Sequence, residues 1–374
     1  MKKIYIYLGL VVIVLAGAVM VSRNQTTLGP VKIGVIGPVT GSSAGVYYEP
    51  LKKGIDIALA GINKSGTKLA VVYEDDQLDG KLSVSAYAKL KAEGVRYFIL
   101  NGSPAAAAVA PLIKADGNVS MVPSALLTAY KDDSPLTCRI ALTADNYGPA
   151  FTDLFLNKLD KKQIVTLVSN TEGAMAIYNV FKEKFEAAGG QIVQAETFGK
   201  DDIDFRTQIT KIKANKKAEA IVVINWSSTI VPMLTQIKEL GLTLPIFGDT
   251  GTIKNAAIKD LTLANGITFL DYSFTTDGNN VSGIAQKFIS DYASLNGGSK
   301  PSIQALQGHD SVSILAHALA QADAKNPTSV ANYIVNNIKD YELAGGKFSF
   351  NSTCEADRDI AVRQVVNGEI VDVK

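Results

Sequence analysis

Short apolar runs, each closed by glycine, proline or an acid, alternate along this chain with longer segments of helical period. That alternation constrains the fold more than any other feature. Val31 to Gly37 is apolar and runs into Pro38, which marks a buried strand. Tyr47 to Asn63 places Leu51, Ile55, Ala58, Leu59 and Ile62 at helical spacing. Leu69 to Tyr73 predicts a strand that meets Glu74-Asp75-Asp76. A helix through Leu82, Ala86, Leu90 and Ala92 stops at Gly94. Tyr97 to Leu100 and Val119 to Val122 are further strands. Repeated strand and helix with short links build a parallel sheet covered by helices on both faces.

The pattern restarts near Asp145. Ile164 to Val168, Ile192 to Thr197, Ala220 to Ile224 and Leu244 to Phe247 read as strands. Glu172 to Ala188 reads as a helix closed by Gly189-Gly190, and two more helices centre on Ile209 and Leu234. Helical stretches follow near Phe288, Ile314 and Tyr333, then strands at Gly346 to Phe350, Ile360 to Val366 and Glu369 to Val373. Asn367-Gly368 is a two-residue hairpin turn between the last two. A chain of 374 residues suffices for two domains, at about 100–200 residues each. The class is therefore α/β, with one architecture built twice. Ligands of open α/β sheets bind beyond the carboxyl ends of the strands, so the loops there are the candidates for function.

Charge and motif content remove several function classes. With 37 Lys and Arg against 36 Asp and Glu, no basic excess points to nucleic acid. Two cysteines and two histidines argue against a Cys/His zinc cage and a disulfide-rich scaffold. The loop after the first strand, GPVTGSSAG, is glycine-rich without dinucleotide spacing, and no G-K-[ST] phosphate loop occurs. His309 and His317 share one predicted helix. Adjacent helical residues point apart, so His309-Asp310 is not expected to form an oriented base. Glu74-Asp75-Asp76 is either a hard-cation site or a solvated strand end. No catalytic residue, metal site or cofactor is expected.

The amino terminus stands apart from the body. Lys2 and Lys3 precede Ile4 to Val21, which carries no charge, and Arg23 follows. Residues 1–24 therefore read as a signal peptide or as an uncleaved membrane helix. The positive end stays inside, which places the body outside the cytoplasm. There, Cys138 and Cys354 either pair or remain two small apolar residues.

The loops after the strands hold binding features. After the first strand come Ser43 and Tyr47, which either contact a small polar ligand with an apolar part or belong to a plain βα turn with its helix cap. Asn101-Gly102-Ser103-Pro104 opens a helix, with Ser103 expected as the N-cap and Pro104 in the first turn. The free N–H groups of such a terminus suit a carboxylate. Pro123-Ser124-Ala125 follows the next strand at the same edge. In the second half, Trp226, the only tryptophan, is either cleft wall or core. Asp249, followed by Thr250, either pairs with a ligand ammonium or caps the next helix. Together these residues describe a trap for a zwitterion that closes around a hinge.

The opening KIGVIGPVTGSSAGVYYEPLKKGIDIALAGIN, with VVYEDDQLDG and EGVRYFILNGSPAAAAVAP, resembles the type I periplasmic binding proteins. It is most similar to the leucine/isoleucine/valine-binding family of ABC importers. The likeness covers roughly 31–372 and is strongest in the first 120 residues. It implies two doubly wound parallel-sheet lobes joined by a three-stranded hinge. Lobe one would be 30–144 plus 273–347, and lobe two 145–272 plus 348–374. The family's carboxylate-binding loop falls at Ser103 or Pro104, and its second contact loop at Ser124 and Ala125. Its second-lobe aromatic falls at Trp226, its amine-holding acid at Asp249 or Thr250, and a further contact near Glu172. Where the family has a serine-rich run this chain has Pro-Ala-Ala-Ala-Ala, so backbone N–H groups would do more of the work. Cys138 and Cys354 would sit near two of the crossings.

The expected protein is a monomeric extracytoplasmic solute-binding protein without chemistry of its own. It would capture an amino acid or related amide or carboxylate and deliver it to an ABC permease in the membrane. The alternative is a membrane-tethered ligand-sensing ectodomain.

Overall fold

Two sheets, each with one reversal of strand order, carry most of the strands. The computed structural model describes residues 29–373 except 42–43, 65–67, 126–133, 200, 226–228, 255–256 and 275–281, and leaves out the side chains of Val46 and Glu172. The first sheet holds β1 (Val31–Gly37), β2 (Leu69–Asp75), β3 (Tyr97–Leu100), β4 (Val119–Val122) and β5 (Thr137–Arg139) in the order β2-β1-β3-β4-β5. β3 pairs parallel with β1 and β4, and β4 with β5. Apolar side chains such as Ile33, Val35, Phe98, Ile99 and Met121 are buried on it. Helices on both faces exclude water, which is why these strands read as continuous apolar runs.

The second sheet contains β6 (Gln163–Ser169), β7 (Gln191–Phe198), β8 (Ala220–Ile224), β9 (Ile246–Asp249) and β10 (Thr268–Tyr272). Its remaining strands are β14 (Ile360–Val366) and β15 (Glu369–Asp372). From one edge the order is β7-β6-β8-β9-β10-β14-β15. The first five repeat the order of the first sheet, and β14 and β15 add antiparallel. Asn367 and Gly368 join them at φ 51° and 79°, the left-handed pair that a two-residue hairpin needs. Three short antiparallel strands, β11 (Tyr341–Leu343), β12 (Gly346–Phe350) and β13 (Ala356–Asp357), form a third sheet.

Helices pack closely where glycine removes the side chain. An added Cβ at Gly54, in the helix Glu49–Ile62, would lie 1.8 Å from the carbonyl oxygen of Ala305. One at Gly308 would lie 2.3 Å from that of Leu51. The helices Glu49–Ile62 and Ile303–Gln321 therefore touch backbone to backbone.

Some expectations need correction. β9 ends at Asp249 rather than Phe247, so Asp249 closes the strand instead of following it. The N-cap of the helix Ser103–Asp116 is Gly102 at φ 116°, not Ser103. A Cβ at Gly102 would meet the Leu78 side chain at 2.8 Å, so this turn excludes a capping side chain at that position. Among the described residues no helix is long and apolar enough to cross a membrane; the apolar stretch 4–21 lies outside them.

Candidate functional site

Both parallel sheets reverse their winding once, between β1 and β3 and between β6 and β8. Crevices form at such switch points, beyond the carboxyl ends of the strands. Each sheet places a fully buried asparagine directly after the second strand of its switch, Asn101 after β3 and Asn225 after β8.

At the first crevice Asn101 ties three segments together. Its backbone N–H donates to Ile36 O at 2.8 Å. Its Nδ2 donates to the carbonyl of Tyr47 at 3.2 Å, across the switch point. Its Oδ1 accepts from Ser124 Oγ at 2.7 Å. Ala125 beside it is buried. Ser103 and Pro104 follow in the chain as half-buried residues in the first turn of a helix without a side-chain cap. Its leading N–H groups are therefore served by no capping side chain, as an anion site requires. Thr40, in the loop after β1, donates from Oγ1 and N to Asp75 at 2.5 and 3.2 Å. Burial raises the pKa of Asp75, but the Thr40 hydroxyl and the N–H donors outweigh it and hold the carboxyl below its usual range.

Each acid of the trio has a partner within the fold. Lys89 pairs with Glu74 at 2.6 Å, Asp75 holds Thr40, and Asp76 accepts from Ser83 Oγ at 2.7 Å and Leu78 N at 2.9 Å. Among the described residues no group of His, Cys, Asp and Glu side chains could hold a metal ion. No G-x-S-x-G elbow is expected from the sequence reading, yet the run Gly41-Ser42-Ser43-Ala44-Gly45 spells that spacing. β1 ends at Gly37 and helical structure starts at Ala44, so six residues separate strand from helix, longer than the tight elbow that this spacing marks in hydrolases.

At the second crevice the acid is committed to structure. Asp249 is fully buried and caps the short helix Thr250–Ile253. Its Oδ1 accepts from Thr252 N at 2.9 Å and from Thr252 Oγ1 at 2.6 Å. Thr250 Oγ1 accepts from the Tyr147 hydroxyl at 3.1 Å and reaches Asp271 Oδ1 at 3.0 Å. Asp271, fully buried, is ion-paired to Lys254 at 2.6 Å and to Arg363. Burial pushes the Tyr147 hydroxyl well above its ordinary pKa, and the charges of Tyr272, Asp249 and Asp271 add to that. Thr250 is thus part of an internal polar ladder. Ser43 and Trp226 lie outside the described residues, as does the side chain of Glu172.

Between the sheets one cation gathers the chain. Arg358 is buried; its guanidinium donates to Ile140 O at 3.0 Å and Gly345 O at 2.7 Å. It sits 5.0 Å from the Tyr272 ring centroid and 4.4 Å from that of Phe348. Asp310 accepts from Gly345 N at 2.8 Å. His309 Nδ1 lies 2.9 Å from Asp310 Oδ1, so these neighbours do meet, contrary to the expectation for adjacent helical residues. Cys138 and Cys354 are joined by a disulfide with Cα atoms 4.5 Å apart. Arg139, fully buried, pairs with Glu355 at 2.6 Å beside it.

Of the expected contacts, the structure brings Tyr47 and Ser124 together through Asn101, with Ser103 and Pro104 next to them. It does not expose Asp249. Sequence reasoning passed over Asn101 and Arg358. The only available signal was that each is a polar residue within or just after a strand-ending loop.

The family model described as periplasmic binding protein matches residues 30–369. Leu/Ile/Val-binding protein homolog 6 of Brucella abortus is 33% identical over 189 residues, 49% of this chain and 48% of that protein. The match therefore spans about half the length of that relative. The leucine-, isoleucine-, valine-, threonine-, and alanine-binding protein of Pseudomonas aeruginosa is 24% identical over 329 residues, 86% of each. Among solved structures, the branched-chain amino acid transporter substrate binding protein LivJ from Streptococcus pneumoniae, in complex with isoleucine, superposes with a TM-score of 0.75. It is 25% identical, with 91% of this chain and 98% of that one covered. An ABC transporter substrate-binding protein from Sphaerobacter thermophilus gives a TM-score of 0.81 at 20% identity, covering 92% and 96%, a likeness of fold. The chain belongs to the periplasmic binding protein family.

Proposed function

We propose that this protein captures a small polar ligand between two lobes outside the cytoplasm and hands it to an ABC importer. The ligand class is an amino acid or a close amide or carboxylate relative. Residues 1–24 direct export and either leave or stay as a tether.

The observation that carries the reading is the first crevice, in a chain of this family. There a helix start without a side-chain cap lies beside Asn101, Tyr47 and Ser124. Backbone N–H groups of the helix start, that of Ser103 among them, meet the carboxylate end, and Pro104, which has no N–H, frames it. The second lobe supplies the opposite wall, with Trp226 and Glu172 as its expected contacts.

The lobes are built on the two parallel sheets. β12 and β13 go with the first lobe, because the disulfide and the Arg139–Glu355 pair fasten them to β5. The third crossing then lies at Arg358-Asp359 rather than near residue 347.

A thermal-shift screen of the full-length chain against amino acids, short amides, sugars and nucleosides tests the reading. A ligand bound only by the native state raises the melting point by mass action. A rise with aliphatic amino acids supports the proposal, and one confined to sugars or nucleosides overturns the ligand class. Trp226 fluorescence in the same titration reports whether the single tryptophan senses the ligand.

A further inference from the structure

The disulfide ties together two stretches that lead from the first sheet to the second. β5 ends at Arg139 and continues through Ile140 and Thr143 into the helix Ala144–Asp153. β13 ends at Asp357 and reaches β14 through Arg358 and Asp359. Cys138 and Cys354 join these stretches just before they leave, and both are fully buried. Beside the bond the Arg139 N–H donates to Cys354 O at 2.9 Å, and Arg139 and Glu355 form a parallel bridge. The Arg139–Glu355 ion pair at 2.6 Å and the bond from Arg358 to Ile140 O at 3.0 Å continue the seam.

The fastened segment is a turn bonded within itself. Asn351 Oδ1 accepts from Thr353 N, Thr353 Oγ1 and Glu355 N at 3.0, 2.9 and 2.9 Å. Cys354 has φ at 58°, a left-handed backbone that a residue other than glycine keeps only where its surroundings enforce it. Cutting the disulfide therefore frees a preformed turn from β5 rather than unfolding it. On its other side the turn faces space. A cavity of about 240 Å³ is lined by Asn351, Glu355 and Asp357 from the turn and by Thr143, Asp145 and Asn146 from the start of the helix Ala144–Asp153.

We propose that the disulfide is a hinge staple. It makes the first and third crossings bend as one ribbon anchored on the first sheet, and so limits the open arrangements that compete with the ligand-closed one. The inference rests on the two-lobe capture reading above. A crosslink restricts the open forms, whereas the closed form is held by its ligand with or without it. Removing the staple therefore weakens binding as well as stability.

The test uses the full-length chain with L-leucine as the probe. Calorimetry compares the wild type with Cys138→Ser/Cys354→Ser, and melting points show that each is folded. The expected result is a loss of about threefold to tenfold in affinity. Unchanged or tighter binding overturns the inference. Ile209→Ala, in the buried core under the helix Arg206–Ala214, destabilises the protein without touching a crossing and should keep wild-type affinity. An equal loss there assigns the effect to stability and overturns the staple. If the double variant does not fold, an excess of a dithiol cuts the bond in the folded wild type. The dithiol passes two electrons and two protons to the two sulfurs and closes to its own disulfide, and the same loss is expected. A second measurement needs no ligand: the distance between spin labels on non-cysteine side chains at the exposed positions Ser85 and Thr235, on helices of the first and second sheets. The distribution should broaden when the bond is cut, and equal widths overturn the inference. A wild type that does not bind leucine removes the amino-acid reading, while the label distances still decide the staple.

Discussion

Replacing Asp249 separates two roles that a carboxylate at this position can have. The side chain is fully buried and its Oδ1 receives both the N–H and the hydroxyl of Thr252, at 2.9 and 2.6 Å. Asp249→Ala removes the cap. The Thr252 hydroxyl can fall back on Val223 O at 3.1 Å, but the Thr252 N–H loses its acceptor in a dry site. A lost cap together with a charge-assisted bond costs about 2 kcal/mol. A lobe of this size that unfolds as a unit loses about 2–4 °C per kcal/mol, so the melting point should fall by roughly 4–8 °C. Asp249→Asn keeps an acceptor oxygen in the same place, and asparagine is an equally good N-cap. It should retain the wild-type melting point within about 2 °C. Scanning calorimetry of both variants without ligand reads the difference. If the alanine variant melts with the wild type, or the asparagine variant falls as far as the alanine one, the capping account is wrong. Leucine titration of the asparagine variant then asks whether the charge is also needed for binding.

Other perturbations follow from the packing. The Cys138–Cys354 disulfide joins residues 216 apart in sequence; Cys138→Ser with Cys354→Ser should cost about 2–5 kcal/mol, read by urea unfolding with and without reductant. Gly54→Ala would press a methyl to 1.8 Å from a backbone oxygen, and should cost about 3 kcal/mol or more or abolish folding, whereas Gly45→Ala, where the added Cβ meets open space, should not. His317 stacks on Tyr341 at 4.5 Å, and burial lowers its pKa from the ordinary 6.5. A base held below its unfolded pKa binds fewer protons when folded, so its stabilising share is full above 6.5 and is lost as pH falls through the folded value. His317→Phe should therefore flatten the slope of stability between about pH 7 and pH 5, and an unchanged slope would assign that slope to other groups.

Much of the fold was legible because burial on both faces leaves uninterrupted apolar runs, as in Val31–Gly37 and Ala220–Ile224. The strands that escaped notice carry charge. Thr137–Arg139 hides its nature behind Arg139, which is tolerable in the core because Glu355 lies 2.6 Å away. Thr268–Tyr272 is interrupted by Asp271, neutralised by Arg363 and Lys254. No local pattern announces a partner that arrives from so far along the chain. Of the candidate site, only the placement of some residues was legible. Ser103, Pro104 and Ser124 could be placed at one sheet edge from strand order alone. Asn101, in the same tetrapeptide as Ser103, gains its meaning from partners 54 and 23 residues away.

Arg358 has a mechanical consequence. Three separate connections between two bodies would ordinarily permit opening, twisting and sliding, each at its own cost. Here a single planar cation is bonded to one connection at Ile140, rests on the Tyr272 ring at the start of a second, and itself belongs to the third. Sliding one sheet past the other would break the buried bonds from Arg358 to Ile140 and Gly345. On the proposed closure of two lobes, the motion that brings the crevices together would turn about this joint. Displacement in such a closure grows with distance from that joint, so the loops farthest from Arg358 would travel most.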